Sequence, residues 1–286
     1  MSAEPTPLEP ILIETHPCFG GVQEVWEHRS EATGTPMRFA LFTPPTPGPR
    51  PALWFLSGLT CSEQNVITKG GLQREAARLG IALICPDTSP RGLNLPGEAD
   101  RWDFGLSASY YVDATQSPWS AHYRMERWLI HELPALLAEH FPRLDLSRQS
   151  ITGHSMGGHG ALVLALRNPG RFRSVSAIAP ICHPSACPWG EFAFTQFFGE
   201  DRAAWAAHDA TELVRGGAKA PPLFIDQGDA DPFLEGQLRP DDLRAACAET
   251  GQLLTLRRWP GYDHGYYFVA TVAGDHVEHA AAALGA

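Results

Sequence analysis

The chain has 286 residues, 44% hydrophobic and 19% charged, which is enough apolar material for a large buried core and too little charge for a disordered chain. Its 22 lysines and arginines against 32 aspartates and glutamates give a net charge of −10, and no basic run interrupts that excess. A nucleic-acid partner is therefore not expected.

Residues 1–10 are proline-rich and polar, with neither the basic nor the apolar region of a secretory signal, and no signal is expected there. The segments "VQEVWEHRS" (22–30) and "MRFALFTPP" (37–45) carry the mixed alternation of antiparallel strands. Pro44, Pro45, Pro47, Pro49 and Pro51 then form a stiff linker, after which the pattern changes. Short runs that are almost wholly apolar follow: "ALWFLSG" (52–58), "IALICPD" (81–87), "SITGHS" (150–155), "VSAIAPI" (175–181) and "PLFIDQG" (222–228). Such runs belong to strands covered on both faces. Between them lie helical patterns. The clearest spans 125–141, where Trp128, Leu129, Leu133, Leu136, Leu137 and Phe141 recur at three- and four-residue spacing and Pro134 predicts a kink. Residues 241–250 and 275–284 are further helix candidates, and "LLTLRRW" (253–259) is a last strand. The alternation predicts a doubly wound, mostly parallel sheet with helices on both faces. We read 1–286 as one domain, with 1–50 holding a tail and preliminary antiparallel strands. No apolar run reaches the roughly 20 residues of a membrane span. The six scattered cysteines fit reduced thiols in the cytoplasm rather than a disulfide framework.

The sharpest motif is Gly153-His154-Ser155-Met156-Gly157, with Gly158 behind it. In a chain with 27 glycines a bare G-x-S-x-G match can arise by chance. Here a strand pattern runs into it and the helical "GALVLALRNP" runs out, the context in which such a turn presents a nucleophilic serine. The Met156 N–H, at the helix start, would face developing oxyanion charge. A serine needs a base held in one tautomer by an acid, and after such a turn the chain order is serine, acid, histidine. Three histidines follow any plausible acid. His276 and His279 lie on a helical pattern where solvent exposure is the ordinary fate, whereas His264 sits in the loop "PGYDHGYYF" past a strand end, where a base belongs. For the acid, Asp226, Asp229 and Asp231 compete in and after "PLFIDQG", and the residues alone do not separate them. Cys182, His183 and Cys187 form a small C-H-x3-C cluster, but no second pair at zinc-ligand spacing accompanies it, so no metal is expected.

With these residues placed, the chain resembles the S-formylglutathione hydrolases of the esterase D group from about Cys18 to Leu284. The likeness rests on "FLSGLTCSEQN" (55–65), "CPDTSPRG" (85–92), "WDFG" (102–105), "YYVDAT" (110–115), "GHSMGGHGAL" (153–162), "APIC" (179–182), "CPWGEFAF" (187–194), "IDQGDAD" (225–231), "FLEGQL" (233–238) and "GYDHGYYF" (261–268). The resemblance implies an α/β-hydrolase fold and hydrolysis of a glutathione thioester to glutathione and formate, as in formaldehyde detoxification, without a cofactor. It implies Asp231 as the acid and the Leu59 N–H as a second oxyanion donor beside Met156. It sets Cys61 near the site, where a thiol of low pKa would be redox-sensitive; a buried inert cysteine is the plain alternative. Trp102 and Trp189 fall in strings around the cleft, and Lys69, Arg74 and Arg101 are cationic candidates for glutathione's carboxylates. Relatives also admit a homodimer. Three departures stand out: "WDFGLSASYY" (102–111) has Ser107 and Ser109 where the family pattern has glycines, Gly265 replaces a serine, and His183 replaces an asparagine. These are expected to shift the acyl pocket and substrate preference. The rival activity is a broad short-chain carboxylesterase on the same fold, with a non-catalytic binding protein or an acyltransferase as more distant alternatives.

Overall fold

A computed structural model describes residues 9–286, so most of the 1–10 segment lies outside the described residues. Nine strands form one sheet in the order β1-β2-β3-β5-β4-β6-β7-β8-β9. They are β1 (Ile11–Cys18), β2 (Gly21–Arg29), β3 (Pro36–Thr43), β4 (Arg50–Leu56), β5 (Ala82–Pro86), β6 (Leu144–Gly153), β7 (Val175–Ile178), β8 (Leu223–Gly228) and β9 (Leu254–Trp259). The first three run antiparallel, β3 pairs antiparallel with β5, and every pair from β5 to β9 is parallel. β1 and β2 are joined by Phe19-Gly20, both at positive φ (46° and 75°), the two-residue turn that matches strand twist. β1 is absent from the sequence reading because it is an edge strand: Ile11, Leu12 and Ile13 are all exposed, so no buried face disciplines its pattern.

All seven residues of β4 are buried, as its continuous apolar run requires. Helices cover both faces. On β7, Ser176 bonds Thr152, which in turn reaches His276 of the helix Tyr266–Leu284. The next residue, Ala177, lies against Gly158 of the helix Met156–Arg167. Successive strand residues point to opposite faces, so these two helices sandwich the sheet. No helix among the described residues is long and apolar enough to cross a membrane.

The 125–141 pattern is one helical stretch with a π-helical turn at Trp128–Glu132 ahead of Leu133–His140. Pro134 follows directly on that wider turn inside the continuous stretch, and the wider turn takes up the misfit that predicted a kink. The last helix is longer than expected. It begins at Tyr266 rather than near Asp275, because "YYFVATV" reads as strand until its apolar residues are packed on the sheet.

His276 corrects an expectation: it is fully buried rather than solvent-facing. Its Nε2–H donates to Asp226 Oδ2 at 3.1 Å, and Asp226 also accepts from Arg257 (2.6 and 2.5 Å) and Trp259 Nε1 (2.9 Å). The cluster ties β8, β9 and the last helix together. Burial alone would raise the Asp226 pKa, but Arg257, His276 and Trp259 outweigh it and hold the carboxyl near about 2. A carboxylate depressed in this way stabilises the fold above its unfolded value of ~3.9 and loses that contribution as pH falls through the folded value. Asp226→Asn should therefore cost about 3 kcal/mol at pH 7 in urea denaturation, as expected when one member of a buried ion pair is removed. The gap to the native chain should narrow as pH falls toward about 2. A gap that does not change with pH would contradict this account of Asp226.

Candidate active site

Ser155 follows the carboxyl end of β6 and caps the helix Met156–Arg167 with φ 58° and ψ −119°. A non-glycine residue at positive φ is strained, and the surroundings must hold it there. Glycines allow the turn to close. A Cβ on Gly157 would strike the Leu56 carbonyl, and one on Gly153 would strike the Gly157 carbonyl. The Ser155 N–H donates to Ile178 O at 2.9 Å, pinning the turn across to β7.

Gly58, just past the end of β4, packs against this turn: a Cβ on it would lie 3.1 Å from Ser155 Cβ. The segment 58–61 therefore flanks the serine. Its Thr60 N–H donates to Ser107 O and its Cys61 N–H to Gly58 O. The Leu59 N–H just ahead of them has no acceptor among the described residues, and neither does the Met156 N–H at the helix start. Two unspent N–H groups thus stand on either side of Ser155, one of them at the positive end of a 12-residue helix.

His264 faces Asp231 through Nδ1, 2.6 Å from Oδ2. Asp231 is itself held by the Phe233 N–H (2.9 Å) and Gln227 Nε2 (3.2 Å), and its side chain is out of contact with solvent. Since Nδ1–H donates to the carboxylate, Nε2 of a neutral His264 keeps its lone pair. The other two aspartates are differently engaged. Asp226 is spent on Arg257, Trp259 and His276, and the half-exposed Asp229 looks toward Arg258 at 3.7 Å. Ser155, His264, Leu59, Cys61, Trp102 and Trp189 line one cavity of about 170 Å³ with Phe233 and His154. Trp102 meets Trp189 edge-on at 4.9 Å, and Phe233 meets the His264 ring edge-on at 5.1 Å.

Two of these residues carry more than the sequence reading gave them. His154, the variable position of the motif, is buried and donates from Nε2 to the His264 carbonyl at 3.0 Å, fixing the loop that bears the imidazole. Burial, and then the neighbouring His264, hold its pKa well below the ordinary value, so it stays neutral. Phe233 walls the cavity; its only sequence signal was membership of the "FLEGQL" string.

The remaining residues singled out in the sequence take different places. Burial pushes the Cys61 thiol above the ordinary cysteine value, and nearby Lys69 and Arg91 do not offset it, so Cys61 is not a low-pKa thiol. Lys69, Arg74 and Arg101 lie outside the cavity: Arg74 covers the Phe19 ring, and Arg101 is bidentate to Asp103 over the Phe192 ring. Ser107 and Ser109 do not line it either. Ser107, at φ 59°, accepts from Arg91 Nη1 at 2.6 Å, and Ser109 bonds the Thr88 carbonyl, so the replaced glycines changed how two loops are tied rather than the cavity wall. The Cys182 and Cys187 thiols bond the Pro180 and Pro184 carbonyls, while His183 sits between Asp242 (2.7 Å) and Glu212 (3.2 Å).

Comparison with known proteins agrees with this architecture. A family model named Esterase, described as "Putative esterase", matches residues 30–280. The chain is 51% identical over 278 residues to an S-formylglutathione hydrolase of Mus musculus, covering 96% of this chain and 98% of that one. It is 50% identical over 269 residues to an S-formylglutathione hydrolase of Paracoccus denitrificans (strain Pd 1222), covering 93% and 95%. A solved S-formylglutathione hydrolase from Agrobacterium tumefaciens superposes with a TM-score of 0.93 at 49% identity, over 96% of this chain and 99% of that one. In sequence and in fold, the chain belongs to the S-formylglutathione hydrolase family of esterases.

Proposed function

We propose that this enzyme hydrolyses S-formylglutathione to glutathione and formate, with Ser155 as nucleophile, His264 as general base and Asp231 as its orienting acid. The observation that carries the assignment of roles is the 2.6 Å contact of Asp231 with His264 Nδ1, made by a histidine that shares its cavity with Ser155. His264 Nε2 takes the Ser155 proton as Oγ bonds to the formyl carbon. The negative charge that develops on the formyl oxygen falls between the Leu59 and Met156 N–H groups, which need no reorganisation to receive it. The C–S bond then breaks, the departing sulfur takes the proton from His264 and leaves as the glutathione thiol, and O-formyl-Ser155 remains beside a neutral imidazole. Water attacks that ester as His264 accepts its proton, formate departs, and the proton returns to Oγ. A formyl group is the smallest acyl group, which suits a cavity of about 170 Å³ walled by Trp102, Trp189 and Phe233.

One domain carries this chemistry, since a single sheet draws strands from Ile11 to Trp259. All six cysteines are unpaired, which suits a reducing compartment such as the cytoplasm.

Ser155→Ala should lower kcat on S-formylglutathione by about 10⁵- to 10⁶-fold, and adding His264→Ala should cost little more, because the two act as a unit. Asp231→Asn should lower kcat by about 10⁴-fold with little change in KM, through loss of the oriented tautomer. Stopped-flow kinetics on the three variants checks this, and thioesterase turnover retained by Ser155→Ala would overturn the assignment.

A further inference from the structure

The cavity at Ser155 is not the largest on this face. A second, of about 760 Å³, opens beside it, walled by Arg38, Ser62, Glu63, Gln64, Asp87 and Arg91 among others. The two are divided by consecutive chain: Gly58–Cys61 line the first and Ser62–Gln64 the second. The lining of the second is charged in both senses. Arg91 is bidentate to Asp87 (2.8 and 2.5 Å) and braces the Cys61 carbonyl at 3.2 Å, while Arg38 lies on the β3 side beside Glu27.

Glu63 is the feature this arrangement does not explain. It is 2% exposed, yet its carboxylate makes no ion pair and no hydrogen bond to another residue among those described. Burial, and then the Asp87 charge, push its pKa up, and a hydrogen bond to its own backbone, Arg38 and Arg91 only partly relieve it. A buried carboxylate whose one partner is its own backbone N–H is costly, and an ammonium group entering the cavity would relieve it. A ligand bringing an ammonium to Glu63 and a carboxylate to Arg38 would meet both signs of charge at once.

The distance is suitable. Ser155 stands past the end of β6 and Asp87 past the end of β5, two strands apart in the sheet. Strands lie about 4.8 Å apart, so the separation across the sheet is roughly 10 Å. In glutathione, seven bonds part the sulfur from the α-carbon of the γ-glutamyl group, roughly 9 Å when extended. We propose that this second cavity is the binding site for the zwitterionic α-amino-acid head of a γ-glutamyl thioester, with Glu63 receiving its ammonium and Arg38, bonded to Glu27 through Nε alone, its carboxylate. This rests on the thioester substrate proposed above.

The test separates the site from the activity. Hydrolysis of p-nitrophenyl acetate is followed while unreactive S-methylglutathione is added, and its inhibition constant is measured on the native enzyme and on Glu63→Gln. A ratio taken on one preparation does not depend on the fraction folded. The expected result is an inhibition constant about tenfold higher in Glu63→Gln, which corresponds to about 1.4 kcal/mol. An S-methyl glutaryl-cysteinylglycine, which lacks the amino group, should inhibit the native enzyme about tenfold more weakly than S-methylglutathione and should not distinguish the two proteins. Equal constants for S-methylglutathione on both proteins, or equal effects of the substitution on both inhibitors, would overturn the site. Failure of the native enzyme to prefer S-formylglutathione over the ester would instead overturn the proposed activity, whichever way the inhibition falls.

Discussion

Everything at this site hangs on a serine held at φ 58° and ψ −119°, a conformation a residue with a Cβ occupies only under constraint. The constraint comes from packing on three sides. The Leu56 carbonyl lies where a side chain at 157 would be, Gly58 presses on the serine's own Cβ, and the Ile178 carbonyl takes its N–H. Because β4, β6 and β7 are adjacent strands, the turn is built from the centre of the sheet, the part least able to yield. The strain is thus held by the most buried residues of the protein, which leaves Oγ fixed relative to the loops on either side.

Those loops differ in how they are secured. The 58–61 segment is tied to the 104–111 loop through Thr60 and Ser107, and Ser107 in turn receives Arg91, which reaches back to the Cys61 carbonyl. The 261–265 loop is secured by His154, whose ring donates to the His264 backbone, and by Asp231 on the imidazole itself. A neutral, buried His154 can hold that carbonyl without placing a second positive charge beside His264. The motif position that a sequence pattern treats as free is therefore mechanically coupled to the proposed base.

How far the site was legible can be judged from its three aspartates. Asp226, Asp229 and Asp231 lie within six residues, and each is a carboxylate in or just after one strand, so composition and spacing treat them alike. What separates them is tertiary: Arg257, Trp259 and His276 reach Asp226 from β9 and the last helix, and only Asp231 meets His264. The resemblance to a known family singled out Asp231, where the residues themselves left the choice open. The turn around Ser155 was readable because its physics is local, a strand, two glycines and a helix. The central strands were readable because burial on both faces leaves an unbroken apolar run, whereas β1 at the edge leaves no such trace. His276 was misread because exposure depends on which face of the fold a residue reaches, and the choice left open for Cys61 turned on the same point: it is buried, and burial raises its thiol pKa.

The two cavities fit a reading in which a small acyl group enters one chamber and a charged peptide lies across the next. The central claim within that reading is that Ser155 is the residue acylated. Peptide-mapping mass spectrometry after reaction with a fluorophosphonate tests it most directly. The account requires a single adduct, on Ser155, whose formation slows by orders of magnitude when His264 is replaced by glutamine. An adduct on any other residue, or labelling of Ser155 at an undiminished rate without His264, would contradict it.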